Sequence, residues 1–232
     1  MADFRETFHN PHVVLPVIHV ETPNQTMRNA EVAFDSGADG VFLISMQGMD
    51  HKRLAEMQEM VRDEYMAWWV GVNYLDLPTV NVFDALSPNV SGVWADNAAI
   101  SEWVEEQYEA ERIKRAREAS NWEGLYFGGV AFKYQRGVNN LEKAAQIATR
   151  YMDVITTSGK GTGSAPDTEK IARMKGAVGD FPLAIASGIS PDNVHNFKDI
   201  ADCFIVSTSL LVPESEEFDP GRMKDLMQAV RG

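Results

Sequence analysis

Short runs of hydrophobic residues recur along the whole chain, separated by longer stretches of mixed polarity. There are eight runs; the first begins 189 residues before the last, which gives a mean spacing of 27 residues. They are VVLPVIHV from residue 13, GVFLISM from 40, AWWVGVNYL from 67, GVWAD from 92, GLYFGGVAF from 124, DVITTSG from 153, FPLAIASG from 181 and DCFIVSTSL from 202. Hydrophobic and polar residues do not alternate strictly within them, which is typical of strands buried on both faces. We therefore predict eight β-strands.

The stretches between the runs have the spacing of amphipathic helices. Three sets of hydrophobic residues each fall on one helical face: Leu54, Met57, Val61 and Tyr65; Leu141, Ala144, Ala148 and Met152; and Met223, Leu226 and Val230. Helix starts are indicated at Ser190-Pro191-Asp192 and at Pro166, which is followed by Asp167 and Glu169. The longest predicted helix runs from Ser101 to about Ser120.

Strands that alternate with helices predict a parallel sheet. Eight such units in 232 residues fit a (β/α)8 TIM barrel better than an open, doubly wound sheet. We expect one domain spanning residues 1–232. Asp39, Asp153 and Asp202 each stand just before a predicted strand, at the barrel end where polar residues usually serve stability.

Charge and composition narrow the classes of partner. The formal net charge is −13, which argues against nucleic acid and against anionic membrane surfaces. Cys203 is the single cysteine, so an internal disulfide and a zinc site built from several cysteines are excluded. The first residues have no apolar signal core, and no stretch reaches the length of a membrane span. These features predict a cytoplasmic protein without a membrane span.

Chemistry in a TIM barrel takes place at the carboxyl ends of the strands. The runs place there His19, Glu21, Ser45, Gln47, Asn73, Asp76, Asp96, Asn97, Lys133, Thr157, Ser158, Lys160, Ser187, Gly188, Ser207, Thr208 and Ser209. We predict Glu21 or Asp96 as the general base, and Lys133 as the group that stabilises negative charge or forms a Schiff base. The predicted substrate contacts are His19, Asn73, Thr157, Ser158, Lys160 and Gly161. For His19 a packed core role stays open.

The sequence ITTSGKGTGS, from residue 155, looks like a phosphate loop but lacks the spacing of a P-loop. Gly161 follows Lys160 where Ser or Thr is required, and Val154 stands where the first glycine should be. The stretch is instead the loop after strand six, which we interpret as a lid or ligand clasp. Barrels often hold phosphate with the loops after strands seven and eight. We therefore predict phosphate binding by Gly188, Ile189, Ser207, Thr208 and Ser209.

The fifth run suggests where Lys133 points. Gly129, Ala131 and Lys133 share one parity, and small residues suit a crowded barrel interior, whereas Val130 and Phe132 would face the helices. We expect Lys133 in the mouth of the barrel near Asp96. A structural ion pair that merely fills the mouth is the alternative.

Several of these motifs resemble the BtpA/SgcQ family, over about residues 67 to 210. The resembling pieces are VGVNYL, GVWADNAAISE, VAFKYQ, DVITTSGKGTGSAPDTEKI, FPLAIASGISPDNV and ADCFIVSTSL. The last two are also similar to the wider phosphate-binding barrels, including isomerases of histidine and tryptophan synthesis. The resemblance implies a ribulose-phosphate-binding type of barrel. It also implies a link either to photosystem I assembly in cyanobacteria or to a nucleosidase-type activity, without a catalytic mechanism.

Two departures from the family pattern bear on function. Ser207 stands where the family usually has glycine, so its side chain would crowd a phosphate or donate to it. The pathway isomerases pair an acid and a base from strands one and five, but strand five here supplies Lys133. This weakens the prediction of an isomerase with the usual pair.

Two functions therefore stay open. The first is an enzyme for a small phosphorylated metabolite, either a sugar phosphate or a nucleotide-like molecule, working as a lyase, isomerase or nucleosidase-type hydrolase. The second is a non-catalytic assembly or regulatory factor that binds a phosphorylated ligand or a partner protein. No cofactor is assigned, although Glu21, Asp76 and Asp96 could hold Mg²⁺. A homo-oligomer stays open as well.

Overall fold

The eight hydrophobic runs form the eight strands of a closed parallel barrel, in which each strand pairs with its neighbour in sequence and β8 pairs with β1. The computed structural model describes residues 2–46 and 48–232, so Gln47 lies outside the described residues. The strands are β1 (Val13–Val20), β2 (Gly40–Ser45), β3 (Trp69–Asn73), β4 (Gly92–Ala95), β5 (Leu125–Gly129), β6 (Val154–Thr157), β7 (Leu183–Ala186) and β8 (Cys203–Val206). The predicted TIM barrel is confirmed.

Helices surround this barrel. They are α1 (Phe4–Thr7), α2 (Pro23–Asp35), α3 (His51–Glu64), α4 (Thr79–Val82), α5 (Tyr108–Ser120), α6 (Leu141–Ala148), α7 (Thr168–Val178) and α8 (Pro220–Arg231). The start predicted near Pro166 is confirmed, because Asp167 caps α7 by accepting a hydrogen bond from the N–H of Glu169.

The core has two layers because both faces of every strand are buried. One layer fills the barrel interior and contains Leu15, Phe42, Trp69, Trp94 and Phe127 among others. The second layer packs the outer faces of the strands against the helices. Helix α1 closes the amino-terminal end of the barrel: the ring centroid of Phe4 lies 6.5 Å from that of Phe127, and that of Phe8 lies 5.5 Å from that of Trp69.

Two helix predictions were wrong. The helix expected from Ser101 begins only at Tyr108, because the buried side chain of Gln107 holds the preceding residues in a loop. Its amide donates to the carbonyls of Ser101 and Val104, both at 2.7 Å, and its oxygen accepts from the N–H of Ser101 at 2.9 Å.

The start expected at Ser190 leads only to a short 3₁₀ turn, Val194–Asn196. The N–H of Ser190 donates to the side chain of Asn193 at 2.9 Å, and the amide of Asn193 donates to the carbonyl of Gly188 at 2.8 Å. The side chain of Asn193 thus ties the start of this loop together over a single turn, and the described residues from here to β8 form no α-helix.

Each of the three aspartates that precede strands accepts a hydrogen bond from a neighbouring strand and pairs with a cation. Asp39 accepts from the N–H of Val14 at 2.7 Å, Asp153 from Tyr126 at 2.7 Å and Asp202 from Leu183 at 2.9 Å. Their cationic partners are Arg231, Arg117 and, for Asp202, both Arg5 and Lys175. These residues tie strand ends together far from the mouth.

Replacing Asp202 with alanine should lower the free energy of unfolding by about 2–4 kcal/mol, because a nearly buried carboxylate with two cations and one strand N–H is lost. Asp180→Ala removes the same charge at an exposed position and serves as the control. Urea unfolding measures both. Equal effects of the two substitutions would contradict the stabilising role of Asp202.

Candidate active site

The carboxyl ends of the strands enclose a cavity of about 550 Å³. Its floor is apolar and includes Val17, Ile44, Trp94, Ala186 and Ile205. Residues from several strand ends and the loops after them form the walls, and most of them have polar side chains: His19, Asp96, Lys133, Thr162, Ser187, Gly188, Ile189, Ser190, Asn193, Ser207, Thr208 and Ser209. An apolar floor with a few polar groups on the walls is typical of a small-molecule site.

Asp96 follows β4 and is held from several directions. The buried amide of Asn73 donates to its Oδ1 at 3.1 Å, and Gln135 donates to its main-chain carbonyl. Gly129 leaves room for that carbonyl, since a Cβ there would lie 1.8 Å from the oxygen. Burial raises the pKa of Asp96, while the Asn73 hydrogen bond and the charge of Lys133 act in the opposite direction. A fixed carboxyl group with a raised pKa suits proton transfer.

The side chain of Lys133 lines the cavity, but the backbone that places it there is a turn and not the continuation of strand β5 that we expected. Strand β5 already ends at Gly129, and Ala131 then adopts a left-handed conformation with φ +49°. This turn breaks the parity, so Phe132 packs inside the barrel, its ring 5.9 Å from that of Trp94, and not against the helices. Val130 faces the outer layer as expected.

The ammonium group of Lys133 is available to a ligand. Its Nζ donates to Thr162 Oγ1 at 3.2 Å. Within residues 2–46 and 48–232 it forms no ion pair, although it lines the same cavity as Asp96. The arrangement is therefore not the simple ion pair considered as an alternative.

The loop after β6 departs from the predicted set of substrate contacts. Thr157 and Ser158 are fully buried and hold the loop after β5: Thr157 Oγ1 donates to the carbonyl of Ala131 at 3.3 Å, and Ser158 Oγ accepts from the N–H of Lys133 at 2.8 Å. Lys160 is exposed and lines a neighbouring groove. Gly161 accepts from Ser187 Oγ at 3.2 Å, and the cavity is lined by the next two residues, Thr162 and Gly163.

The predicted phosphate-binding loops face this cavity together. Gly188 has φ +74°, and Ser209 Oγ donates to the carbonyl of Ile189 at 2.6 Å, which joins the loops after β7 and β8. In the described part of the chain, five backbone N–H groups here have no acceptor; they belong to Gly188, Ile189, Ser207, Thr208 and Ser209. Clustered free N–H groups of this kind bind anions.

Two side chains around the cavity also have buried polar atoms without a partner among residues 2–46 and 48–232. They are Ser207 Oγ and Trp94 Nε1. Buried polar groups are normally hydrogen-bonded, so these two atoms leave unused hydrogen-bonding capacity in residues that line the cavity. The serine at position 207 thus adds a hydroxyl group to the lining of this cavity.

Strand one contributes His19 to the cavity, but Glu21 is exposed and outside the cavity lining. The acid next to His19 is Glu216, from the loop before α8, and His19 Nδ1 lies at hydrogen-bonding distance from its Oε2, at 2.7 Å. Sequence reasoning missed Glu216, since 197 residues separate the pair. No local pattern in the loop singles it out.

Lys170 was missed as well. Its Nζ donates to the carbonyls of Ala131 and Ser158, both at 2.6 Å, which joins the loops after β5 and β6. Burial lowers the pKa of Lys170 to about 8. Because it lies behind the two loops and lines the neighbouring groove, we assign it a supporting role.

The three carboxylates suggested as Mg²⁺ ligands do not lie together at one site. Asp76 accepts hydrogen bonds from His51, and Glu21 lies outside the cavity that contains Asp96. Across residues 2–46 and 48–232, no three His, Cys, Asp or Glu side chains form a group that could hold a metal ion. No helix in the described residues is long and apolar enough to cross a membrane.

Comparisons with known proteins agree with the barrel fold. The model of the BtpA family matches residues 103–232. No curated protein matches the chain significantly. Among solved structures, the chain is similar to (S)-3-O-geranylgeranylglyceryl phosphate synthase from Thermoplasma acidophilum in complex with substrate sn-glycerol-1-phosphate. The TM-score is 0.70 and the identity 15%, with 99% of each chain covered.

Two further solved structures share the fold. Phosphoribosyl anthranilate isomerase from Thermus thermophilus gives a TM-score of 0.65 at 12% identity, covering 94% of this chain and 98% of that one. The α subunit of tryptophan synthase from Legionella pneumophila gives 0.67 at 14% identity, covering 95% and 93%. At these identities the likeness concerns the barrel and not its chemistry.

Proposed function

The chain belongs to the BtpA family, and we propose that it works as an enzyme on a small phosphorylated metabolite bound at the open end of the barrel. The observation that carries this proposal is that one cavity has backbone hydrogen-bond donors on one side and ionisable side chains on another. One wall has the five free N–H groups described above, and another has Asp96 beside Lys133. A phosphate group would bind the first wall and place the rest of the molecule against the second.

The side of the cavity with the free N–H groups can bind phosphate even though the protein as a whole is acidic. With a net charge of −13, long-range attraction of an anion is absent, so binding has to come from short-range donors. Backbone N–H groups and the Ser207 hydroxyl group are such donors. Two of the similar barrels carry phosphate compounds in their names, sn-glycerol-1-phosphate and phosphoribosyl anthranilate, which supports this assignment.

The other side of the cavity suits proton transfer. Asp96 can accept or give a proton, because its burial brings the charged and neutral forms closer in energy. Lys133 would stabilise negative charge that develops on the substrate as the proton leaves. A lyase, an isomerase and a nucleosidase-type hydrolase all use such a step, and the proposal is limited to this shared chemistry.

Thermal unfolding with inorganic phosphate and a panel of phosphate monoesters tests the proposal, followed by a turnover assay on those that bind. A ligand at 100 times its Kd adds about 2.7 kcal/mol, or roughly 5–10 °C for a chain of this size. Lys133→Met should keep the shift caused by inorganic phosphate and lower turnover by about 10²–10³-fold. Binding without turnover in the wild type would favour the non-catalytic factor, and unchanged turnover in Lys133→Met would remove Lys133 from the proposal.

A further inference from the structure

His19 and Glu216 form a second hydrogen-bonded acid–base pair in the cavity wall. Carboxylates only accept hydrogen bonds, so the 2.7 Å contact with Glu216 Oε2 requires the proton of His19 to be on Nδ1. In the neutral ring the other nitrogen, Nε2, then carries a free lone pair. It has no protein partner in residues 2–46 and 48–232, and His19 lines the cavity.

Two buried amides on α2 fix this pair in place. Gln25 Nε2 donates to the carbonyl of His19 at 3.1 Å and to the carbonyl of Glu216 at 3.0 Å. Asn29 Nδ2 donates to the carbonyl of Glu216 at 2.7 Å, and its oxygen accepts from the N–H of Phe218 at 2.8 Å. These bonds hold the end of β1 and the loop before α8 at a fixed separation.

From this geometry we infer that His19 is a proton-transfer group and that Glu216 is the residue that positions it. Such a pair follows the general logic in which a base is held in one tautomer by a carboxylate on its far side. The carboxylate beside the end of strand one is therefore that of Glu216, whereas Glu21 is exposed. The inference rests on the proposed function, because the proton belongs to a bound substrate.

The position of His19 in the barrel specifies what it can reach. Strand β1 pairs with β8, whose loop supplies Ser207–Ser209, whereas Asp96 follows β4 on the opposite side. His19 therefore stands next to the side of the cavity with the free N–H groups. The substrate class that fits is a phosphate monoester with a hydroxyl group, or a C–H bond beside a carbonyl, within a few bonds of the phosphate.

The proton step balances without another reactant. Nε2 takes the proton, and the electron pair of the broken O–H or C–H bond stays on the substrate as an alkoxide or enolate. Lys133 faces this charge across the cavity. The imidazolium, stabilised by Glu216, then returns the proton to a neighbouring carbon of the enolate. Alternatively the electron pair of the enolate forms a C=C bond as the adjacent C–O bond breaks, and the imidazolium protonates the oxygen atom that leaves.

The ¹⁵N NMR spectrum of the histidine rings in the ligand-free protein tests the pair directly, with His19→Gln used to assign the signal. We expect His19 to be in the Nδ1–H form at neutral pH and to lose this preference in Glu216→Ala. The control is Glu217→Ala, which removes the adjacent carboxylate, paired with Arg28 instead of a histidine. A His19 ring protonated on Nε2, or a tautomer that Glu216→Ala leaves unchanged, would overturn the inference.

Activity supplies a second readout that separates this inference from the proposed function. On a phosphate monoester that the wild type turns over, His19→Gln should lower kcat by about 10²–10⁴-fold with little change in phosphate binding. Full activity of this variant overturns the role of His19 alone. Failure of every phosphate compound to bind overturns the proposed function, and with it the substrate assigned to His19, whatever the tautomer.

Discussion

Replacing Asp96 with asparagine should lower turnover by about 10²–10⁴-fold without destabilising the fold. Asparagine has the same shape and can still accept the hydrogen bond that Asn73 donates at 3.1 Å. What is lost is the ability to exchange a proton. Activity on a phosphate monoester that the wild type turns over measures the first effect, and thermal unfolding without ligand measures the second.

The raised pKa of Asp96 also predicts how the stability difference between the wild type and Asp96→Asn changes with pH. Burial raises the pKa of Asp96, so the folded protein holds this proton more tightly than the unfolded chain does. The contribution of Asp96 is therefore most favourable at low pH and is lost as the pH rises through the raised pKa. Asp96→Asn should gain stability relative to the wild type between acidic and neutral pH.

Asp76→Asn is the matched control with the opposite sign. Burial acts to raise the pKa of Asp76, but hydrogen bonds from the side chain and the N–H of His51 outweigh it, and the net shift is downward. Its contribution is present above the ordinary carboxyl pKa and is lost as the pH falls. Asp76→Asn should lose stability at neutral pH. The same pH trend in both variants would contradict the account of Asp96.

Replacing Gly188 with alanine should abolish stabilisation by inorganic phosphate. An added Cβ would lie 2.1 Å from the backbone nitrogen of Ala165 and 2.2 Å from the carbonyl carbon of Ser164, so one of the two loops must move. The left-handed φ of +74° adds strain. Together these effects should cost about 2–4 kcal/mol of stability and displace the free N–H groups.

Gly37→Ala serves as the control that separates backbone strain at a left-handed φ from displacement of the phosphate-binding loops. Gly37 has a similar φ of +80°, but nothing lies within 4 Å of an added Cβ. This variant should lose only about 1–2 kcal/mol and keep the full thermal shift caused by phosphate. Equal phosphate shifts in wild type and Gly188→Ala would show that the loop after β7 is not the anion site.

The barrel could be predicted from the sequence because strands that are buried on both faces appear as regularly spaced hydrophobic runs. The sequence also placed Asp96, His19 and Lys133 around one cavity, because the carboxyl ends of parallel strands share one end of the barrel. The alternation of inward-facing and outward-facing side chains predicts directions only within a strand, and β5 already ends at Gly129. The left-handed turn at Ala131 reversed the expected direction of Phe132.

Contacts between distant segments could not be predicted from local patterns. Glu216 meets His19 across 197 residues, and Lys170 joins the carbonyls of Ala131 and Ser158 from a helix that begins after both loops. The loop before α5 likewise depends on one buried side chain, that of Gln107. Residues of these types are common on surfaces, and only the fold brings them to their partners.

The most direct test of the account is a crystal structure of the protein soaked with inorganic phosphate. We expect the anion among the backbone N–H groups of Gly188, Ile189 and Ser207–Ser209, with Ser207 Oγ donating to it. An anion bound only at surface lysines or arginines, with these N–H groups still unpaired, would contradict the proposed site and the substrate class built on it.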